Sequence, residues 1–389
     1  MTAPNQRSKP VEATLWILVA ASLCTCLGWA GEPAQNWVFA PEKLRPFWLS
    51  RTMEGESVLF VKGDAGGQPR ASLLFKPTRI LSVSSSSGEM TYQEGRDYVW
   101  KPGTRELVLP PDSRITFKTP QDLRRPTNSQ AFVLTHRDGK GEIFFGGGHE
   151  YHDLQTVVTY THERESWAPH LSRAGYQLPR TLRMLRKKQP LRIALLGDSI
   201  STGCNASGWA KVPPCQPAYQ DLLVLHLRAV YGAPVTLTNF AVGGTDTAWG
   251  LTTISNVAAV RPDLVILAFG MNDAAGRSPR EYQANVQRMV EAVSQGQPDT
   301  EFILVATMLA NRDWTALHHE FFGFYREALA GLCRQGMVLA DLTSIWGLLL
   351  EHKQTWDVTG NGVNHPNDFG HRLYAQALSA LLIPTFPPE

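Results

Sequence analysis

Four short stretches, far apart in this 389-residue chain, carry side chains suited to acyl chemistry. In "LRIALLGDSISTG", residues 191–203, an apolar run ends in Gly197-Asp198-Ser199. "NFAVGGT" brings Asn239, Gly243 and Gly244, "FGMND" brings Gly270, Asn272 and Asp273, and "GNGVNHPND" brings His365. A serine hydroxyl is a weak nucleophile until a base takes its proton, and His365 is the natural base. The oxyanion formed on attack needs preorganised donors. The backbone N–H of Gly244, the side-chain amide of Asn272 and the N–H of Ser199 at a helix start are three. A glycine at 244 also keeps a side chain out of the way of the substrate oxygen.

Each block has a plainer use when taken alone. Gly-Asp-Ser makes a turn and a helix cap, Gly-Gly a tight turn, Asn272-Asp273 a cap, and His365-Pro366 a helix entry. All four at equivalent strand ends, in this order, are far harder to obtain by chance. The chain has no G-x-S-x-G elbow, so it departs from the usual α/β-hydrolase nucleophile pattern.

The elements that must position these residues read as two halves. From Leu191 onward, apolar runs of strand length alternate with helical patterns. The expected strands are "LRIALLG", "PVTLTNFAV", "DLVILAFG", "EFILVATML" and "GMVLADLT". Continuous apolar strands separated by helices predict a parallel sheet covered on both faces. Ligands then gather at the carboxyl ends of the strands, where all four blocks fall. Residues 33–162 are instead punctuated by Gly and Pro and read as short extended pieces, such as "SVLFVKG", "ILSVSSSS", "EIFFGGG" and "TVVTYTH". Their alternation predicts a β-rich domain of sandwich or jelly-roll type. Residues 163–190 read as a connector with one short helix, "RTLRMLRKK", and residues 191–385 as the second domain.

Residues 1–30 stand apart. Arg7 and Lys9 precede an apolar run from Ala13 to Leu27 that ends in Gly28-Trp29-Ala30. That is the layout of a cleaved secretory signal, and the run is short for a membrane span of roughly 20 apolar residues. The expected location is therefore secreted or periplasmic, with no stable membrane span after cleavage. Cys24 and Cys26 fall in this segment, and neither directly follows Gly or Ala as a lipid-attachment cysteine would. Of the rest, Cys204 and Cys215 bracket "CNASGWAKVPPC", a loop a disulfide would close in an oxidising compartment. Spacing does not give their Cα separation, so the pairing stays open. Cys333 reads as a small apolar residue in a helix.

Composition excludes some classes of partner. Lys and Arg number 37 against 35 Asp and Glu, so net charge is +2, and no basic run exceeds Arg186-Lys187-Lys188. Nothing calls for nucleic acid. "GGGHEYHD" offers His149, Glu150, His152 and Asp153, but in no closed zinc spacing, and polar contacts of a loop are the expected role. No metal and no cofactor are expected. Trp209, in the 204–215 loop just after the nucleophile, and Asn311 and Trp314, after the fourth strand, are candidate substrate-contacting residues, with Trp249 after the glycine block. Aromatics at the mouth of a site suit sugar stacking, an acyl pocket or plain core packing.

The four blocks together resemble the SGNH hydrolases, also called the GDSL esterase/lipase superfamily. Ser199 in "GDSIS", Gly244 in "NFAVGGT", Asn272 in "GMND" and His365 in "NHPND" stand where that family has its Ser, Gly, Asn and His. The resemblance spans roughly Leu191 to Leu382 and implies a flavodoxin-like, three-layer α/β/α domain with a parallel sheet and a serine esterase activity. A β-rich front half is similar to the layout of some two-domain carbohydrate acetylesterases of the superfamily. One departure concerns the acid, which in the family stands three residues before the histidine. Here that position is Gly362, and the nearest preceding acid is Asp357. Either Asp357 orients the imidazole from a longer loop, or a backbone carbonyl does so in a Ser–His dyad. Asp341, at the end of the fifth strand, is a substitute ranked below them. Asp198 is expected to brace the nucleophile turn.

The resulting expectation is a secreted serine esterase removing acetyl or similar small acyl groups from a carbohydrate polymer. Two readings stand beside it. One keeps the Ser–His site but acts on lipid or aryl esters, or transfers the acyl group to a sugar. The other is a glycan-binding protein with a degenerate catalytic half, a reading fed by the missing acid.

Overall fold

The computed structural model describes residues 37–63, 66–163 and 177–383. The expected signal segment, with Cys24 and Cys26, lies outside the described residues, as do residues 164–176 of the expected connector. The described residues form one compact unit.

The front half is β-rich. Strands β1 (Thr52–Val58), β2 (Pro77–Ser85) and β3 (Thr156–His162) form an antiparallel sheet in the order β1-β3-β2. β3 buries every second residue from Thr156 to His162, the alternation of a strand with one face on the core. Two smaller sheets flank it, one from Arg70–Ser72, Glu106–Val108 and Val99–Trp100, the other from Arg124–Arg125 and Glu142–Ile143. A short helix also forms over Glu150–Leu154, inside "GGGHEYHD".

Helix α1 (Pro179–Arg186) falls in the expected connector and buries Leu182 and Leu185 on one face. Beyond it lie the five parallel strands β4 (Leu191–Gly197), β5 (Val235–Asn239), β6 (Leu264–Ala268), β7 (Glu301–Ala306) and β8 (Met337–Asp341). Their order is β5-β4-β6-β7-β8, with every pair parallel. β6 and β7 are buried at every residue, which explains their apolar sequences, broken only by Glu301 at the start of β7. β5 is the edge, and its threonines and Asn239 are only partly covered. The chain leaves β4 for β5 on one side and later returns to β6 on the other. That reversal is the switch point at which such sheets open a crevice at their carboxyl ends.

Between the strands run α2 (Ser199–Thr202), α3 (Tyr219–Tyr231), α4 (Thr247–Ala259), α5 (Pro279–Gly296) and α6 (Phe321–Leu332); α7 (Leu342–Leu349) and α8 (Asp368–Leu382) follow the last strand. Their starts are chemically marked. Asp246 caps α4, Ser278 and Pro279 open α5, and Asn367 caps α8. α8 packs on α3 and is buried along almost its whole length.

One apolar cluster joins the halves, running from Leu44, Val58 and Tyr160 in front to Leu195, Phe302 and Leu378 behind. A polar junction adds to it. Asn367 Nδ2 donates to Ser57 Oγ, Gln155 Oε1 and the Asp357 carbonyl. Among the described residues, no helix is long and apolar enough to cross a membrane.

Candidate active site

Strand β4 delivers Ser199 to the switch point. Asp198 closes the strand and caps α2, its Oδ1 accepting from the Ile200 N–H at 3.0 Å. This is the bracing role read from the sequence. The other carboxylate oxygen of Asp198 is buried without a hydrogen-bond partner. Burial pushes the Asp198 carboxyl up to about 7, and the charge of Asp273 adds to it. Both follow from the cost of holding a carboxylate in a medium of low dielectric.

The loop after α7 delivers the base. His365 Nε2 lies 2.8 Å from Ser199 Oγ, within the reach of a nucleophile–base pair. Asn361 shapes this loop, its Oδ1 accepting the N–H groups of Val363, Asn364 and His365. Burial, and then the neighbouring His371, lower the His365 imidazole to about 4. It is therefore neutral at neutral pH, the form that can take a proton.

Gly244 and Asn272, the donors expected for an oxyanion, stand on the turns after the next two strands. The turn after β5 lies against the nucleophile, since a Cβ built on Gly243 would stand 3.7 Å from Ser199 Cβ. Gly244 has φ +76°, a left-handed conformation that suits glycine. Thr245 ties the turn to β4 by donating to the carbonyls of Val242 at 2.7 Å and Gly197 at 3.3 Å. Asn272 follows β6, and its Nδ2 donates to the Thr245 carbonyl at 2.8 Å. One amide hydrogen is thus anchored on the glycine turn, and the amide has a second to give. Asp273 serves the frame: it accepts from the Thr247 N–H and hydroxyl and pairs with Arg277 at 3.0 Å.

The structure commits the two carboxylate candidates to other contacts. Asp357 does not reach His365. Its Oδ1 accepts from the Leu59 N–H and its Oδ2 from the Gln354 N–H, both at 2.8 Å, closing a capping box that pins β1. Asp341 caps α7 and pairs with Arg326 at 2.8 Å. The group opposite His365 Nδ1 is Asn205, whose Oδ1 lies 2.8 Å away. Sequence reasoning passed over Asn205. It stands six residues after the nucleophile in no motif, and its one local signal is φ +64°, which asparagine tolerates better than most residues.

Asn311 is also committed elsewhere. Its Nδ2 donates to the Gly362 carbonyl at 2.9 Å and its Oδ1 accepts from the Asp313 N–H at 3.0 Å. It therefore buttresses the histidine loop. Trp314 is half-buried and packs beside Leu134, Ile143 and Val363. Trp209 is 43% exposed, on the loop that follows the nucleophile turn. Cys204, Cys215 and Cys333 are free thiols, so no disulfide closes the 204–215 loop. In "GGGHEYHD", His149 pairs with Asp153 at 2.7 Å and His152 reaches the Pro213 carbonyl at 2.8 Å. Among the described residues no cluster of three or more His, Cys, Asp or Glu could hold a metal ion.

Residues 195–373 match the GDSL-like Lipase/Acylhydrolase family. The back half is a GDSL-like acylhydrolase domain. That family assignment makes it a hydrolase of carboxylic esters, consistent with the Ser199–His365 pair. Among solved structures the chain is similar to a two-domain esterase, CEX, active on acetylated mannans and co-crystallised with mannopentaose. Identity is 21% and the TM-score 0.43, over 54% of this chain and 53% of that one. It is also similar to a variant of Axe2, an acetyl xylan esterase from Geobacillus stearothermophilus, at 17% identity and TM-score 0.43 over 51% and 97% of the two chains. A third is LAE5, an alpha/beta hydrolase enzyme from the metagenome of Lake Arreo, Spain, at 21% identity and TM-score 0.41 over 49% and 94%. A search of curated proteins found no match.

Proposed function

We propose that this protein is an exported serine esterase that removes small acyl groups, acetyl above all, from a carbohydrate polymer. The observation that carries the chemistry is the 2.8 Å approach of His365 Nε2 to Ser199 Oγ, beside the glycine turn to which Asn272 is hydrogen-bonded through Thr245.

The steps follow from those positions. His365 takes the proton of Ser199 as Oγ attacks the ester carbonyl carbon. The carbonyl oxygen, now an oxyanion, is met by the N–H groups of Ser199 and Gly244 and the amide of Asn272. These donors are fixed before the reaction and need no reorganisation as charge develops. His365 returns its proton to the departing sugar hydroxyl, leaving Ser199 acylated. A water then attacks the acyl group with His365 again as base, releasing the acid and restoring the serine.

The substrate class rests on other features. Trp209 presents an exposed ring on the loop after the nucleophile, a face suited to a sugar. The basic, apolar and small-residue order of residues 7–30 supports export.

The test is acetate release from acetylated xylan and acetylated mannan, wild type beside Ser199→Ala. Release by the wild type alone supports the whole reading. Turnover of small aryl esters without release from either polymer keeps the serine chemistry and discards the substrate. Turnover that survives Ser199→Ala sinks the mechanism.

A further inference from the structure

The contact between Asn205 and His365 raises a chemical question, because a neutral amide stands where a carboxylate would serve. An acid in that position holds the imidazole in the tautomer with Nδ1 protonated and Nε2 bare. An asparagine offers either an oxygen or an N–H to the ring, and only the oxygen gives that tautomer. In the serine-protease template, replacing the acid by asparagine costs about 10⁴ in kcat because the wrong tautomer results.

Here the surroundings decide which end of the amide faces the ring. Asn205 Nδ2 lies 3.0 Å from the Gly148 carbonyl, 3.2 Å from that of Gly360 and 3.4 Å from that of Gly146. Carbonyl oxygens only accept, so all three require the NH₂ end of the amide. The oxygen is left to face His365 Nδ1 at 2.8 Å. An acceptor in that place requires a proton on Nδ1, which leaves the Nε2 lone pair aimed at Ser199 Oγ.

The arrangement is closely built. Asn205 is 6% exposed, so little water competes for its amide. A Cβ on Gly360 would lie 2.5 Å from Asn205 Cβ, so the histidine loop approaches this side chain as nearly as a glycine permits. Two of the three carbonyls, Gly146 and Gly148, belong to the β-rich half. The Gly146 N–H in turn donates to the Asn361 carbonyl on the histidine loop at 3.1 Å.

We propose that Asn205 is the positioning residue for His365, and that the β-rich half, through the carbonyls of Gly146 and Gly148, fixes the amide orientation that selects the catalytic tautomer. The proposal rests on the reading of Ser199 and His365 as nucleophile and base. It gives the β-rich half a part in catalysis separate from any polymer binding.

The test uses the full chain. ¹⁵N imidazole spectra of the wild type at neutral pH, with the His365 signal assigned by its loss in His365→Ala, read the tautomer directly. Nδ1 protonated and Nε2 bare is the expected result, and a proton on Nε2 overturns the proposal. Asn205→Ala, folded by circular dichroism, is expected to lose up to about 10⁴-fold in kcat with KM nearly unchanged. Wild-type kcat in that folded variant overturns it. Asn205→Asp keeps an acceptor opposite Nδ1 and brings a charge. Its kcat is expected above that of the alanine variant, with the acid limb of kcat/KM moved to higher pH, because a carboxylate beside an imidazole favours the protonated ring. An unmoved acid limb in folded Asn205→Asp overturns the contact. Turnover surviving Ser199→Ala would strike the underlying mechanism instead, whatever the imidazole spectrum shows.

Discussion

Lys353 Nζ lies 2.6 Å from Glu56 Oε1, and both side chains are wholly buried. Glu56 belongs to β1 and Lys353 to the segment after α7, so this ion pair bolts the β-rich half to the catalytic half. The Tyr160 hydroxyl completes Glu56 at 2.6 Å, and Lys353 also donates to the Ser72 carbonyl at 2.8 Å. Truncating one partner leaves the other charge buried and alone, which costs about 3–5 kcal/mol. Lys353→Met should therefore unfold at much lower denaturant, and pairing it with Glu56→Gln should recover part of the loss. Chemical denaturation of the three proteins checks this. A cost under about 1 kcal/mol for the single change would show that the pair does not hold the halves together.

Asp357 tests the difference between a catalytic and a structural acid. Its two oxygens accept from the Leu59 and Gln354 N–H groups. Asp357→Asn replaces one acceptor by a donor facing an N–H, an unmet buried pair worth about 1–3 kcal/mol. Stability should fall while kcat per folded molecule stays within a few-fold. The reverse pattern, intact stability with a collapse in kcat, would return Asp357 to the triad.

The pH dependence carries a definite sign. Burial lowers His365 to about 4, and burial likewise lowers His226 and His371 to about 4. Only neutral His365 can act as base, so the acid limb of kcat/KM should sit near pH 4, well below the pKa of about 6.5 of an exposed histidine. In the unfolded chain these rings take up protons near pH 6.5, whereas the folded protein resists until about 4. Unfolding then binds protons, and stability falls as pH drops from about 6.5 towards 4, by up to about 1.4 kcal/mol per unit for each ring. Thermal melts against pH, beside initial rates, check both. An activity limb near 6.5 would show that the ring is solvated in the working enzyme.

Sequence and structure agree where the reasoning was local or periodic. The apolar runs of β6 and β7 had to be buried on both faces, and they are. "TVVTYTH" alternates and is the half-buried strand β3. The Ser199–His365 approach also followed from strand-end placement. What escaped was set by contacts between distant segments. Nothing in "STGCNASG" marks Asn205, because its role depends on carbonyls about 57 residues before it and 155 after it in the chain. Asp357 is the nearest preceding acid to His365 in sequence and one of two alternatives for orienting it, yet its loop turns it towards Leu59, 298 residues away. Asn311 was placed at a strand end, but its side chain points into the loop it supports. The alternating stretch "SRITFKT" forms only an isolated bridge at Lys118, since a short apolar alternation becomes a strand only when a partner edge is offered.

Asn272 separates the oxyanion reading from the simple capping reading of its motif. Its Nδ2 donates to the Thr245 carbonyl, and its side chain makes no cap hydrogen bond to the short helix it precedes. A cap would show in stability, whereas a donor to the oxyanion shows in the transition state. Asn272→Ala should thus lower kcat by about 10²–10³-fold, the effect of removing one such donor. KM should change little, because the amide binds the charge that develops on attack more strongly than the ester it starts from. Fluorophosphonate labelling of Ser199 should slow in parallel, since the phosphonyl oxygen takes the same place. Rapid turnover by Asn272→Ala in a protein with lowered stability would return Asn272 to the frame and leave the oxyanion to the backbone of Ser199 and Gly244.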